Sequence, residues 1–157
     1  MHTKHVDGVQ DAVSFNKEVD DLFTDIFNEN PKYWGAVLSR SQFNGVGDRI
    51  ILFRDPSGKT KKPLGFFGIQ KYRRDNQGKL VHALSIALKP ELRNKGLAKH
   101  MISSILPLVV DKDDKTDLLW NVNKSNEASQ KLYHSLLKTL KDEGKVKNNF
   151  RLQFDAD

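Results

Sequence analysis

Hydrophobic positions along this chain fall into two rhythms. Near the start, Phe15, Val19, Leu22, Phe23, Ile26 and Phe27 recur at the three- and four-residue intervals that line one helix face, with Ser14 placed to cap it. Asn30-Pro31 restarts the chain as a cap and first-turn pair. Tyr33, Trp34, Val37 and Leu38 then predict a short second helix, and 44–48 reads as a loop. From Arg49 the pattern changes. The runs 49–54, 64–73 and 79–88 have strand length and are divided by the turns Asp55-Pro56-Ser57-Gly58 and Asp75-Asn76-Gln77-Gly78. The helical interval returns over 97–110, where Pro107 is expected to kink or end the helix. A strand over 117–122, a helix over 126–142 and a final strand over 146–154 complete the order ααβββαβαβ. Early hairpins followed by strand–helix–strand–helix units predict an α/β (α+β) fold: a mixed sheet with helices on both faces.

Composition narrows this reading only a little. The 157 residues suit a single domain over 1–157, long enough for a substantial core, and 38% hydrophobic with 29% charged residues is ordinary for a soluble globular protein. The absence of cysteine excludes disulfides, thiolate metal ligands and a thiol nucleophile, and is compatible with a cytoplasmic location. The N-terminus lacks the apolar core of a signal peptide. No apolar run approaches the roughly 20 residues needed to cross a bilayer, so no membrane association is expected. Charge is unevenly spread: residues 59–99 carry eleven Lys or Arg against Asp75 and Glu91, a local +9, whereas residues 1–30 carry a local −5. The basic half suits a highly anionic cofactor, and it suits nucleic acid equally well.

The junction between the third strand and the next helix carries the clearest chemistry. It reads Leu88-Lys89-Pro90-Glu91-Leu92-Arg93-Asn94-Lys95-Gly96-Leu97-Ala98. The first N–H groups of a helix have no intrahelical partner and sit at the positive end of its dipole, which makes a site for phosphate. Gly96 removes the side chain where an anion would approach the backbone, Ala98 keeps the next turn small, and Arg93, Lys95 and Lys99 add positive charge.

Arg93-x-x-Gly96-x-Ala98 between a strand and a helix resembles the acyl-CoA signature of the GNAT superfamily of N-acetyltransferases. One helix and one strand later, Asn126-Glu127-Ala128-Ser129-Gln130-Lys131-Leu132-Tyr133 resembles that family's Asn-x-x-(small)-x-x-Leu-Tyr segment. The resemblance covers roughly residues 48–154 by element order, though only these two segments match by residue type. It implies a mostly antiparallel central sheet that splays between the strand before the cradle and the strand 117–122, where a pantetheine arm inserts. It further implies acetyl-CoA as co-substrate, with its diphosphate on the backbone of Asn94, Lys95, Gly96, Leu97 and Ala98 beside Arg93. Its arm would pair along Leu84, Ile86 and Leu88, with Asn126 in contact as well as capping its helix.

Two catalytic residues follow from the resemblance. Tyr133 stands where the family's tyrosine is commonly held to protonate the leaving thiolate; a tyrosine pKa of about 10 keeps that proton available at neutral pH. Read from spacing alone, it is a core aromatic on one face with Leu132, Leu136 and Leu140. Some members carry a glutamate base eleven positions ahead of the signature, and here that position is His82, which could take a proton from an attacking ammonium. Strict alternation instead groups His82 with Leu80, Leu84 and Ile86 as a hydrogen-bonded core histidine.

Look-alike motifs are incomplete. Gly58-Lys59-Thr60 lacks the leading glycine of a P-loop, Gly45-Val46-Gly47 lacks a third glycine, and Asp111–Asp117 lacks the glycine and terminal glutamate of a calcium loop, so no metal site is expected. After Tyr133 the chain continues His134-Ser135-Leu136-Leu137-Lys138, where relatives usually carry a Gly-Phe pair and a closing hairpin. That end of the fold often helps form the acceptor site or a homodimer interface. The resulting expectation is acetyl transfer from acetyl-CoA to a primary amine: a lysine side chain, a polyamine, an aminosugar or an aminoacyl-tRNA. The alternative is a catalytically inactive GNAT-fold protein that binds nucleic acid or a protein partner.

Overall fold

A six-stranded mixed sheet carries the molecule, its strands lying side by side in chain order. They are β1 (Val9–Asp11), β2 (Arg49–Phe53), β3 (Gly65–Arg74), β4 (Leu80–Leu88), β5 (Asp117–Val122) and β6 (Phe150–Phe154). Among the described residues three helices accompany them, α1 (Asn16–Glu29), α2 (Leu97–Val109) and α3 (Glu127–Asp142), with a 3₁₀ turn at Arg40–Phe43. The computed structural model describes residues 9–11, 16–29, 40–55, 57, 59, 61–90, 93, 96–111 and 113–154. The expected second helix, Ser14 and Phe15 lie outside the described residues.

Strand alternation decides which helix covers which face. Ile51 and Phe53 of β2 point to one side with Phe67, Ile69, Leu84 and Trp120, where they meet Met101, Ile102 and Ile105 of α2 and Leu136 and Leu140 of α3. Leu52 and Phe66 point to the other side and meet Val19, Leu22, Phe23 and Ile26 of α1, together with Phe43. The Phe23 ring stands edge-on to Phe66 at 4.8 Å. Gly68 permits this packing, since a Cβ there would collide with the Phe43 ring. Ion pairs also hold α1 in place: Arg54 gives Glu18 two bonds of 3.0 and 3.1 Å, and Lys89 reaches Asp25 at 3.1 Å. Within the described residues the predicted stripe of α1 is its buried face at Val19, Leu22, Phe23 and Ile26, with Phe27 half-buried beside it.

The pairing pattern positions the site. β1 to β4 pair antiparallel, whereas β4–β5 and β5–β6 pair parallel through the crossover helices α2 and α3. β4 and β5 share only the four pairs from Val81↔Asp117 to Leu84↔Trp120. Beyond these, residues 85–88 remain paired to β3, and residues 121–122 remain paired to β6. The two parallel strands thus part at their C-terminal ends. Helix α2 ends two residues after Pro107, where the Val110 N–H bonds Leu106 O and the chain turns extended. One closing strand, β6, follows α3. It is shorter than predicted, beginning at Phe150, and Val146 packs into the core ahead of it. Among the described residues no helix is long and apolar enough to cross a membrane.

Candidate active site

A cleft of about 760 Å³ opens beside the end of β4, beyond its last pair with β5. Its floor includes Ile86, Ala87 and Leu88 from the end of β4, and its walls come from the start of α2, the start of α3 and the end of α1. Crevices at the C-terminal ends of parallel strands are where ligands reach the first turn of a following helix.

The α2 wall contains Arg93, Gly96, Ala98 and Lys99. Gly96 is the N-cap of α2 in a left-handed conformation (φ 69°, ψ 0°), and it supplies no side-chain cap. A Cβ built on it meets nothing within 4 Å, so any larger residue would project into open space at the helix end. Lys99 adds a cation one turn on. Arg93 bonds Leu88 O through Nε at 2.9 Å and Glu29 Oε1 through Nη2 at 2.7 Å. Asn94 and Lys95 lie outside the described residues, and Leu97 packs partly buried against the core.

The α3 wall begins at Asn126, which caps the helix by accepting the Ser129 N–H at 3.2 Å and also lines the cleft. Ile86 and Leu88 line it as well, whereas Leu84 is a core residue paired to Ile69 on one side and Trp120 on the other. An arm pairing along β4 therefore finds a free edge only from Ser85 onward. Ile26 and Glu29 of α1, and Leu132 and Ser135 of α3, are lining residues that sequence reasoning did not single out. For Ile26 and Leu132 the helical period carried a signal of burial without one of exposure to a ligand.

The two expected catalytic residues stand apart from this cleft. Tyr133 is buried, with its ring 5.0 Å from Phe150 and 6.4 Å from Trp120, and its hydroxyl donates to Phe150 O at 3.0 Å. Burial raises its phenol pKa. The hydroxyl could serve as an acid in the cleft only after turning away from Phe150. His82 is fully buried and engaged at both ring nitrogens. Its Nδ1 accepts the Tyr72 N–H at 3.2 Å, so the ring proton sits on Nε2, which lies 2.7 Å from Asp114 Oδ2. Burial alone would raise the Asp114 carboxyl, but hydrogen bonds from His82 and Thr116 outweigh it and hold the pKa at about 2. Tyr72 sits at a register shift in β3 with φ 57°, a left-handed conformation costly for an aromatic residue. His82 therefore braces a bulge, roughly 13 Å along the strand from Ile86. The core-histidine reading fits this placement, and neither nitrogen is open to a substrate amine.

Residues 16–137 match the family model described as Acetyltransferase (GNAT) family. Nothing among curated protein sequences matches significantly. Among solved structures, the chain is similar to a ribosomal-protein-alanine N-acetyltransferase from Brucella melitensis, with TM-score 0.58, 14% identity and 81% of each chain covered. It also resembles a phosphinothricin acetyltransferase from Sinorhizobium meliloti in complex with AcCoA (TM-score 0.58, 18% identity, 82% of this chain and 72% of that one). A GNAT-family acetyltransferase from Streptococcus pneumoniae aligns at TM-score 0.55 and 15% identity, covering 80% of each chain. At these identities the likeness is one of fold, and it agrees with the splayed mixed sheet; the family match, which spans most of the chain and both signature segments, makes this protein a member of the GNAT acetyltransferase family.

Proposed function

We propose that this protein transfers the acetyl group of acetyl-CoA to a primary amine by direct attack within a ternary complex. The observation that carries the reading is the cleft beside the end of β4, beyond its last pair with β5, walled by the glycine-capped end of α2. Acetyl-CoA supplies an activated acyl thioester. The α2 N-terminus with Arg93 and Lys99 would hold its phosphates, the free edge of β4 from Ser85 would align its arm, and Asn126 would contact it. The amine nitrogen attacks the thioester carbonyl carbon, the C–S bond breaks, and the amine loses one proton while the thiolate gains one. With both nitrogens of His82 engaged, water is the base the geometry favours. A thiol of ordinary acidity, with pKa near 8.5, needs little help to leave, so the buried hydroxyl of Tyr133 is better suited to holding α3 on β6.

Glu29 at the end of α1 lines the cleft, which supports a cationic acceptor such as a lysine side chain, a polyamine or an aminosugar. The +9 stretch offers less to a polyanion than its sequence implies, because Arg73, Lys79 and Lys89 are each paired to a carboxylate. Thiol release from acetyl-CoA, followed with a lysine peptide, spermidine, glucosamine and an aminoacyl-tRNA in turn, tests the proposal. Amine-dependent release with a cationic acceptor is expected. Tight acetyl-CoA binding without turnover on any amine would move the protein to the binding class.

A further inference from the structure

Glu29 is the last residue of α1, and no basic residue occupies that last turn. A carboxylate at the negative end of a helix dipole opposes local stability, where Lys or Arg would add to it. Glu29 also lines the cleft, and its partner is Arg93, the first residue of the phosphate-binding signature. The pair is short, 2.7 Å, yet both side chains are partly exposed, Arg93 to 40% and Glu29 to 33%. Such a pair is individually weak and can be exchanged for a better partner. A phosphate group arriving at the α2 end is a stronger acceptor for a guanidinium than one partly solvated carboxylate. Among the described residues the other side-chain anchor of Arg93, Nε to Leu88 O, belongs to its own loop and does not oppose that exchange.

Resting on the reading of the cleft as an acetyl-CoA site, we infer that Glu29 is an exchangeable latch on Arg93. In the empty cleft the carboxylate holds the guanidinium against α1. When the anionic co-substrate binds, Arg93 turns to it, and Glu29 is left unpaired at the α1 end, where an ammonium group is the complementary replacement. Glu29 is thus a positioning residue for Arg93 and a specificity determinant for a cationic acceptor. Because each ligand removes the other's competitor, the two bind with positive coupling, and by linkage the coupling is reciprocal.

Calorimetric titration of CoA alone, which needs no acceptor, tests the latch. Glu29→Gln should bind CoA about two- to fivefold more tightly than the parent, the range a single exposed ion pair allows. Arg93→Gln should bind it more weakly. Adding Glu29→Gln to Arg93→Gln should change nothing further, since the carboxylate acts through the guanidinium. Equal tightening in both backgrounds would mean general charge repulsion and would overturn the latch, as would no tightening in the parent background. Absence of CoA binding to the parent would instead overturn the underlying site. For the acceptor half, parent and Glu29→Gln, each saturated with CoA, are titrated with n-butylammonium at pH 7. Tighter binding to the parent is expected; equal binding, or none to either, would refute that half. The unfolding midpoint of each variant shows whether a change in affinity follows from lost folding.

Discussion

At Gly96 two demands meet in one residue: a left-handed backbone and an empty approach to the end of α2. Gly96→Glu should cost about 1–2 kcal/mol through its backbone alone, leave the protein folded, and abolish the rise in unfolding midpoint that acetyl-CoA produces. Thermal unfolding with and without ligand measures both effects. The need for glycine here was legible in the sequence because a phosphate-binding turn has a spacing. Tyr133 was legible only in part. The apolar period with Leu136 and Leu140 gave its burial, but the partner of its hydroxyl is a carbonyl seventeen residues away in a strand, which no local pattern reports. Tyr133→Phe should lose about 1 kcal/mol, a fall of roughly 2–4 °C in unfolding midpoint, and keep most of the turnover. A hundredfold loss of kcat with unchanged acetyl-CoA affinity would return Tyr133 to the role of acid.

Among the elements, β4 shows why His82 is hard to read from spacing. Its place in the strand follows from alternation, but its chemistry depends on the bulge in β3 and on the loop carrying Asp114, both distant in sequence. Replacing His82 with Ala removes a buried ring, strips the Tyr72 N–H of its partner and costs the Asp114 carboxylate one of its hydrogen bonds. We expect a loss of about 3 kcal/mol in denaturant unfolding, with the pH profile of the remaining activity unchanged. A shifted profile at preserved stability would revive the base assignment. β1 was not read at all, because three residues carry no measurable period and its pairing to β2 is a tertiary choice. The splay of β4 from β5 was legible only through the family resemblance: the runs show two strands, and only their registers with β3 and β6 show where mutual pairing stops.

For the whole molecule, the two-rhythm pattern was enough to place helices on both faces of one sheet, while the charge map misled in a specific way. In the sequence the acidic start and the basic middle stand apart, the basic one suited to an anionic cofactor or to nucleic acid. Folded, they neutralise each other across α1 through Lys89–Asp25 and Arg93–Glu29. Carboxylates elsewhere behave similarly. Hydrogen bonding to Arg151 lowers the Asp75 pKa, and for Asp117 the bonds from Lys79 and Arg151 outweigh the opposing effect of burial. With Asp114 at about 2, these three groups bind protons less readily folded than unfolded. Their contribution is complete above the unfolded carboxylate pKa near 3.9 and is lost as pH falls through the folded values. The unfolding midpoint should therefore hold near neutrality and drop between about pH 4 and 2, more gently in Asp114→Asn; a midpoint unchanged down to pH 3 would contradict this.

The central claim is that the cleft beside the end of β4 and Gly96 is an acetyl-CoA site. Its most direct test is the unfolding midpoint of the parent protein with acetyl-CoA at about 100 times its dissociation constant. The account predicts a gain of roughly 2.7 kcal/mol, a rise of about 5–10 °C, that disappears in folded Gly96→Glu. No rise in the parent, or an equal rise in Gly96→Glu, would contradict it.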